Sequence, residues 1–169
     1  MVVCANLPYY ITSPVIMKLL EDGLPISFIT VMVQKEAAQR ICAPVGSRMC
    51  GALTVAVNYY SKPSALFNVS AGSFMPAPRV DSSVIRLKVE SPEFAAKDKE
   101  TFFRVVKSAF GQRRKTLLNS LSAGLCIDKH AVGKILESSG VPSNYRAEQL
   151  TMEQFCRVSD NYYNLREEK

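Results

Sequence analysis

"MVVCANLPYYITSPVIMKLLEDGLPISFITVMVQKEAAQRI", residues 1–41, decides the fold. Residues 1–5 are wholly apolar, the pattern of a short strand covered on both faces. Ser13-Pro14 then predicts a helix start, with serine as N-cap and proline in the first turn. That helix turns Val15, Ile16, Leu19 and Leu20 inward and stops near Gly23. "ISFITVMV", residues 26–33, is a second strand apolar on both faces, and "QKEAAQRI" follows at once with helical composition. Strand, helix, strand, helix with short joints is the signature of a parallel α/β sheet.

Outward from this core, "APVGSRMCG" breaks the pattern with Pro44, Gly46 and Gly51. "ALTVAVNYY" places Leu53, Val57 and Tyr60 on one helical face. "SALFNVS" and "SSVIRLKVE" are two further strands. In the second, Ile85, Leu87 and Val89 alternate with Val84, Arg86 and Lys88, which predicts a half-exposed or edge strand. From Lys97 onward only helical patterns remain. Phe102, Val106 and Phe110 stack along one side, "RKTLLNSL" continues helical, and Asp128 caps a helix that ends at Gly140. Thr151 and Gln154 form a capping-box pattern ahead of Phe155, Val158 and Tyr162. The expected division is residues 1–94 and 95–169, with a small helical domain second.

The 169 residues, 47% of them hydrophobic, suffice for one ordinary domain or two small ones. Nothing approaches the roughly 20 apolar residues a membrane helix needs, and a secretory signal is not expected. Five cysteines (Cys4, Cys42, Cys50, Cys126, Cys156) without a C-x-x-C pair read as reduced buried thiols of a cytoplasmic protein. A single histidine, His130, argues against serine-triad and histidine-rich metal chemistry. No metal is expected. The formal net charge of +6 fits a polyanionic partner without establishing one.

The chemistry-bearing stretch is Asn6-Leu7-Pro8-Tyr9. It leaves the first strand at its carboxyl end, where open α/β sheets bind ligands. Pro8 fixes its own φ and holds Leu7 extended, so the turn is stiff. A stiff turn can aim the Asn6 side-chain oxygen and a backbone carbonyl in one direction. Two fixed acceptors match a planar amine with two N–H bonds, and Tyr9 offers a face on which a base stacks. Acceptors on an adenine amine raise electron density at its nitrogen and favour the pyramidal form that attacks an electrophilic methyl. The bland alternative is an asparagine capping a turn and two tyrosines filling core.

"NLPYYITSPV" resembles the substrate-amine motif of the small-subunit (16S-type) ribosomal RNA adenine N6,N6-dimethyltransferases. "VQKEAAQRI", "FMPAPRVDSSVIRL", "AFGQRRKTLLNSL" and "YRAEQLTMEQF" resemble further landmarks of that family, in the family's order. The resemblance implies the C-terminal half of a Rossmann-like class I methyltransferase sheet, strands 4 to 7 paired 4-5-7-6, followed by a small all-α domain. It implies that Asn6 and the Pro8 carbonyl hold the adenine amine, that Tyr9 stacks, and that Leu7, Tyr10 and Phe74 complete the substrate contacts. Pro76 and Pro78 stiffen the loop that carries Phe74.

The family's cofactor is S-adenosylmethionine, held by a glycine-rich turn and an acidic strand end. No G-x-G occurs here, so only Asn6 would touch the edge of that site. The chain alone is expected to bind no cofactor and to be inactive, with its bare first strand inviting self-association. Arg104, Lys107, Arg113, Arg114 and Lys115, with no acid between Thr101 and Leu117, would meet phosphates of the small-subunit RNA. Two other readings stay open: a non-catalytic RNA-binding ribosome-assembly factor, and a large-subunit resistance methyltransferase, whose motif usually has isoleucine at position 7.

Overall fold

The structure, a computed structural model, describes residues 1–167. These form two compact units. Residues 1–43 and 56–92 make the first, and residues 44–55 join the chain from Glu93 onward in the second. The sequence expectation kept all of residues 1–94 together; the break at "APVGSRMCG" instead leaves the first unit. Gly46 explains part of this. Its φ is +88°, and a Cβ there would lie 3.5 Å from the Leu150 carbonyl, so the backbone itself is packed against the second unit's own chain.

In the first unit, β1 (Val2–Asn6), β2 (Phe28–Gln34), β3 (Ser61–Val69) and β4 (Ser82–Val89) form one sheet. Its order is β1-β2-β4-β3, the order expected from the resemblance. β1 and β2 run parallel, and β2/β4 and β4/β3 are antiparallel. Helix α1 (Thr12–Glu21) joins the parallel pair, and α2 (Lys35–Ile41) packs against β2, β3 and β4.

Ile29, Val31, Val33, Ile85 and Leu87 are buried on one face of the sheet. On the other face Phe28, Thr30 and Met32 are half-buried, and Val2 and Cys4 are exposed. The expectation that β1 and β2 are covered on both faces is therefore corrected: among the described residues one face carries the core. There the Arg86 guanidinium covers Phe28 at 5.5 Å from the ring centroid. β4 is also corrected. It is half-exposed, as one of the two expected readings has it, but it is an interior strand and not an edge. The edges are β1 and β3, and Pro63, which has no N–H, lies in edge strand β3.

Two local expectations change as well. A 3-10 turn, Tyr9–Ile11, precedes α1, so Ile11 and not Ser13 is the N-cap. Helix α3 (Ala52–Tyr60) buries Thr54, Val55, Ala56, Val57 and Tyr59 in place of a single face, leaving Leu53 and Tyr60 half-buried.

The second unit holds α4 (Lys99–Phe110), α5 (Leu117–Leu125), α6 (Lys129–Ser138) and α7 (Met152–Glu167). α4 packs against α5 and α7, and α6 against both of those. Phe102, Val106, Leu117, Leu121, Leu136 and Phe155 form the core. Residues 113–116 are not helical, so "RKTLLNSL" becomes helical only from Leu117. Asp98 caps α4 and Asp128 caps α6, each carboxylate accepting from the backbone three residues on. Thr151 and Gln154 make the reciprocal pair expected of them, at 3.0 and 3.2 Å.

α4 and α5 approach closely at Gly124. A Cβ there would sit 2.5 Å from the Ser108 Cβ, so only glycine allows this crossing.

Candidate functional site

The carboxyl end of β1 delivers Asn6, and Pro8 turns the chain at φ −56° into the 3-10 turn. The Ile11 N–H donates to the Pro8 carbonyl at 3.1 Å, and the Thr12 hydroxyl donates to the same oxygen at 3.4 Å. The turn is stiff, as its sequence requires, but it closes on the acceptor that sequence reasoning reserved for a ligand. Both lone pairs of the Pro8 carbonyl have internal partners. Leu7 lines the same cleft.

Asn6, Leu7, Pro8 and Tyr9 line one side of a cleft of about 320 Å³. Phe74, Pro76 and Pro78 line it from the loop between β3 and β4, and Met32 comes from the adjoining strand β2. Asn6 pairs with Met32 in the parallel register, which puts both on the open face of the sheet. Asn6 and Pro8 are exposed, whereas Tyr9 and Phe74 are half-buried. Asn6 thus lines a cleft together with Phe74 and is not buried in the core. Tyr10 is 85% exposed and lies outside the lining residues.

Hydrogen bonds fix both walls. The Tyr9 hydroxyl and the Ser82 hydroxyl lie 2.7 Å apart. Ser82 is fully buried at the head of β4. On the other wall, a 3-10 turn at Ala71–Ser73 leads into Phe74. The Asp81 carboxylate accepts from the Ala71 N–H at 3.1 Å, and the Asp81 carbonyl accepts from the Lys35 N–H at 3.0 Å. Lys35 Nζ stands 3.9 Å from the same carboxylate. Sequence reasoning missed Asp81 and Ser82. The available signal was a pair of serines opening an apolar strand, a place where a hydroxyl needs a partner.

The basic residues separate into two groups within the second unit. Arg104 and Lys107, exposed on α4, line a hollow of about 510 Å³ with Gln112, Ser120 and Gly124. Arg113, Arg114 and Lys115 are exposed in the turn after α4 and do not line it. None of the five forms an ion pair among the described residues.

Cysteine chemistry finds no support. All five thiols are free, and contrary to expectation Cys4 and Cys126 are exposed. Burial pushes the Cys42 and Cys50 thiols up, and burial with nearby Asp160 and Glu153 pushes Cys156 up to about 12. His130 is exposed. Among the described residues no three His, Cys, Asp or Glu side chains cluster as metal ligands, and no helix is long and apolar enough to cross a membrane.

The sequence model of the family described as ribosomal RNA adenine dimethylase matches residues 1–164. A ribosomal RNA small subunit methyltransferase A from Alkaliphilus oremlandii is 45% identical over 161 residues, covering 94% of the chain and 56% of that relative. Its counterpart from Bacillus licheniformis is 46% identical over 162 residues, again 94% and 56%. The chain therefore spans little more than half the length of these curated relatives. Among solved structures, a dimethyladenosine transferase from Plasmodium falciparum superposes with a TM-score of 0.76 at 27% identity, covering 93% of this chain and 64% of that one. A 23S rRNA methyltransferase at 23% identity and a TM-score of 0.68 shares the fold, with 95% and 64% covered.

Proposed function

The chain belongs to the ribosomal RNA adenine dimethylase family, and from that premise we propose that its first unit is the adenine-holding part of a small-subunit rRNA adenine N6,N6-dimethyltransferase. The observation that carries this is the shared cleft of Asn6, Tyr9 and Phe74. The flipped adenine lies against the Tyr9 ring, with Phe74 closing from the opposite loop. The Asn6 side-chain oxygen accepts one N–H of the exocyclic amine. The second acceptor is the Leu7 carbonyl, because the Pro8 carbonyl already has two donors. Drawing both N–H bonds toward acceptors raises electron density at the nitrogen and favours its pyramidal, nucleophilic form. No strong general base is needed for this step.

The residues at hand do not fit the methyl donor S-adenosylmethionine. β1 and β2 run out into Asn6-Leu7 and Gln34-Lys35, neither a glycine-rich turn nor an acidic strand end. In this reading the cofactor's methionine and ribose are held by elements outside these residues, as expected of the C-terminal half of a class I methyltransferase sheet. Asn6 meets only the cofactor's edge, and the chain alone is inactive. The helical unit docks on RNA through Arg104, Lys107, Arg113, Arg114 and Lys115, by phosphate contact and not by reading bases. The setting is the cytoplasm, where small ribosomal subunits are assembled.

The experiment is methyl transfer onto immature small subunits. We expect none from the chain alone, and transfer when it is joined to the portion of the Alkaliphilus relative that it leaves uncovered. Transfer that survives replacing Asn6, Tyr9 and Phe74 with alanine would overturn the assignment. RNA binding without transfer by the joined protein would favour the assembly-factor alternative, and preference for large subunits the resistance-enzyme alternative. Light scattering tests the companion proposal that the open edge of β1 drives self-association; a monomer at all concentrations contradicts it.

A further inference from the structure

We infer that Asp81 and Ser82 are positioning residues that set the two walls of the cleft from one fixed post. This rests on the adenine reading above. The post is built into the sheet. Ser82 pairs with Gln34 of β2 and Val69 of β3, so it sits where three strands end together. Asp81, one residue earlier, receives the first N–H of α2 from Lys35.

Each residue then reaches one wall. The Ser82 hydroxyl holds the Tyr9 hydroxyl at 2.7 Å, which fixes where the far end of the ring stands. A half-buried tyrosine held only at its Cβ end can swing about χ1; a bond at the phenolic oxygen, which lies on the ring's own axis, removes that swing and sets the direction of the ring. The Asp81 carboxylate holds the Ala71 N–H at 3.1 Å and so ties together both ends of the loop that carries Phe74. Lys35 Nζ stands 3.9 Å from that carboxylate. Neither residue lines the cleft. Their effect on a ligand passes through Tyr9 and Phe74.

The bland alternative is that Ser82 and Asp81 merely stabilise the fold. It predicts a lower melting temperature with unchanged ring geometry in the molecules that remain folded. The test is NMR of this chain with labelled aromatic rings, titrated with adenosine. For Ser82→Ala we expect the Tyr9 ring signals to shift and broaden before any ligand is added. Adenosine affinity should fall about threefold to tenfold, the range of one lost hydrogen bond. Tyr9→Phe should cause the same loss, and the double variant no more than either alone.

Asp81→Ala should disturb Phe74 in place of Tyr9, and Asp81→Asn, which retains an acceptor, should restore it. Unchanged Tyr9 signals in Ser82→Ala, or losses that add in the double variant, would overturn the inference. If wild-type chain binds no adenosine, the adenine reading fails, and the ring signals alone still decide whether Ser82 and Asp81 set the walls.

Discussion

The hydroxyl of Tyr9 meets the hydroxyl of Ser82 at 2.7 Å across 73 residues of chain, so the turn after the first strand is fastened to the head of β4. A ring held in this way keeps its place beside the cleft. Tyr9→Ala is expected to cost about 1–3 kcal/mol of adenosine binding, the range for one stacked base. Calorimetric titration of the two proteins checks it; equal affinities would remove Tyr9 from the site.

Arg104 and Lys107 rim one hollow, while Arg113, Arg114 and Lys115 lie outside it in the following turn. If all five touch phosphates, each alanine substitution lowers RNA affinity on every sequence alike. Each also reduces the slope of log affinity against log salt by about 1. Filter binding at several salt concentrations reads the slope. A substitution that weakens binding without changing the slope does not act through a phosphate.

Gly124 sets how closely α4 and α5 approach. Alanine there gains up to about 1 kcal/mol of helix propensity. Its methyl, however, would stand 2.5 Å from the Ser108 Cβ and 2.8 Å from the Ser108 Cα, atoms that cannot swing away. The clash wins, and we expect a net loss of about 1–3 kcal/mol in denaturant unfolding. Gly133, with nothing within 4 Å of its Cβ position, is the control, where alanine stabilises.

The thiols should react in a defined order. Cys4 and Cys126 are exposed, and Cys156 is buried with its thiol pushed up to about 12. Since the thiolate is the nucleophile, an elevated value leaves Cys156 protonated at pH 8. Its alkylation rises only as pH climbs toward 12. Peptide mass spectrometry after brief alkylation at pH 8 should find Cys4 and Cys126 modified and Cys156 unmodified. Early labelling of Cys156 contradicts the packing of α7.

Much of this was legible in the residues themselves. The alternation in β4, the break at Gly23 and the cap residues Asp128 and Thr151 act locally, through backbone geometry and one nearby side chain, so a window of sequence contains the cause. What lay out of reach depends on distant partners. Ile29 and Met32 are both apolar to a strand pattern, yet only Ile29 is buried in the core. β4 looks like an edge strand because Arg86 and Lys88 are exposed, but its hydrogen bonds go to both sides. Pro63 in β3 was the overlooked sign of the true edge. Nothing in four letters shows that Thr12 turns back to the Pro8 carbonyl. Ser82 was missed for the same reason, since its partner lies at the other end of the unit's chain.

Titration of the chain with adenosine and with inosine, followed through the Asn6 side-chain amide and the Tyr9 and Phe74 rings, tests the central claim most directly. Inosine keeps the purine face but carries an oxygen in place of the amine. Adenosine should shift all three groups and bind more tightly, because only its N–H bonds satisfy the acceptors at Asn6 and Leu7. Equal binding of the two nucleosides, or shifts confined to residues outside this cleft, would contradict an amine-holding site.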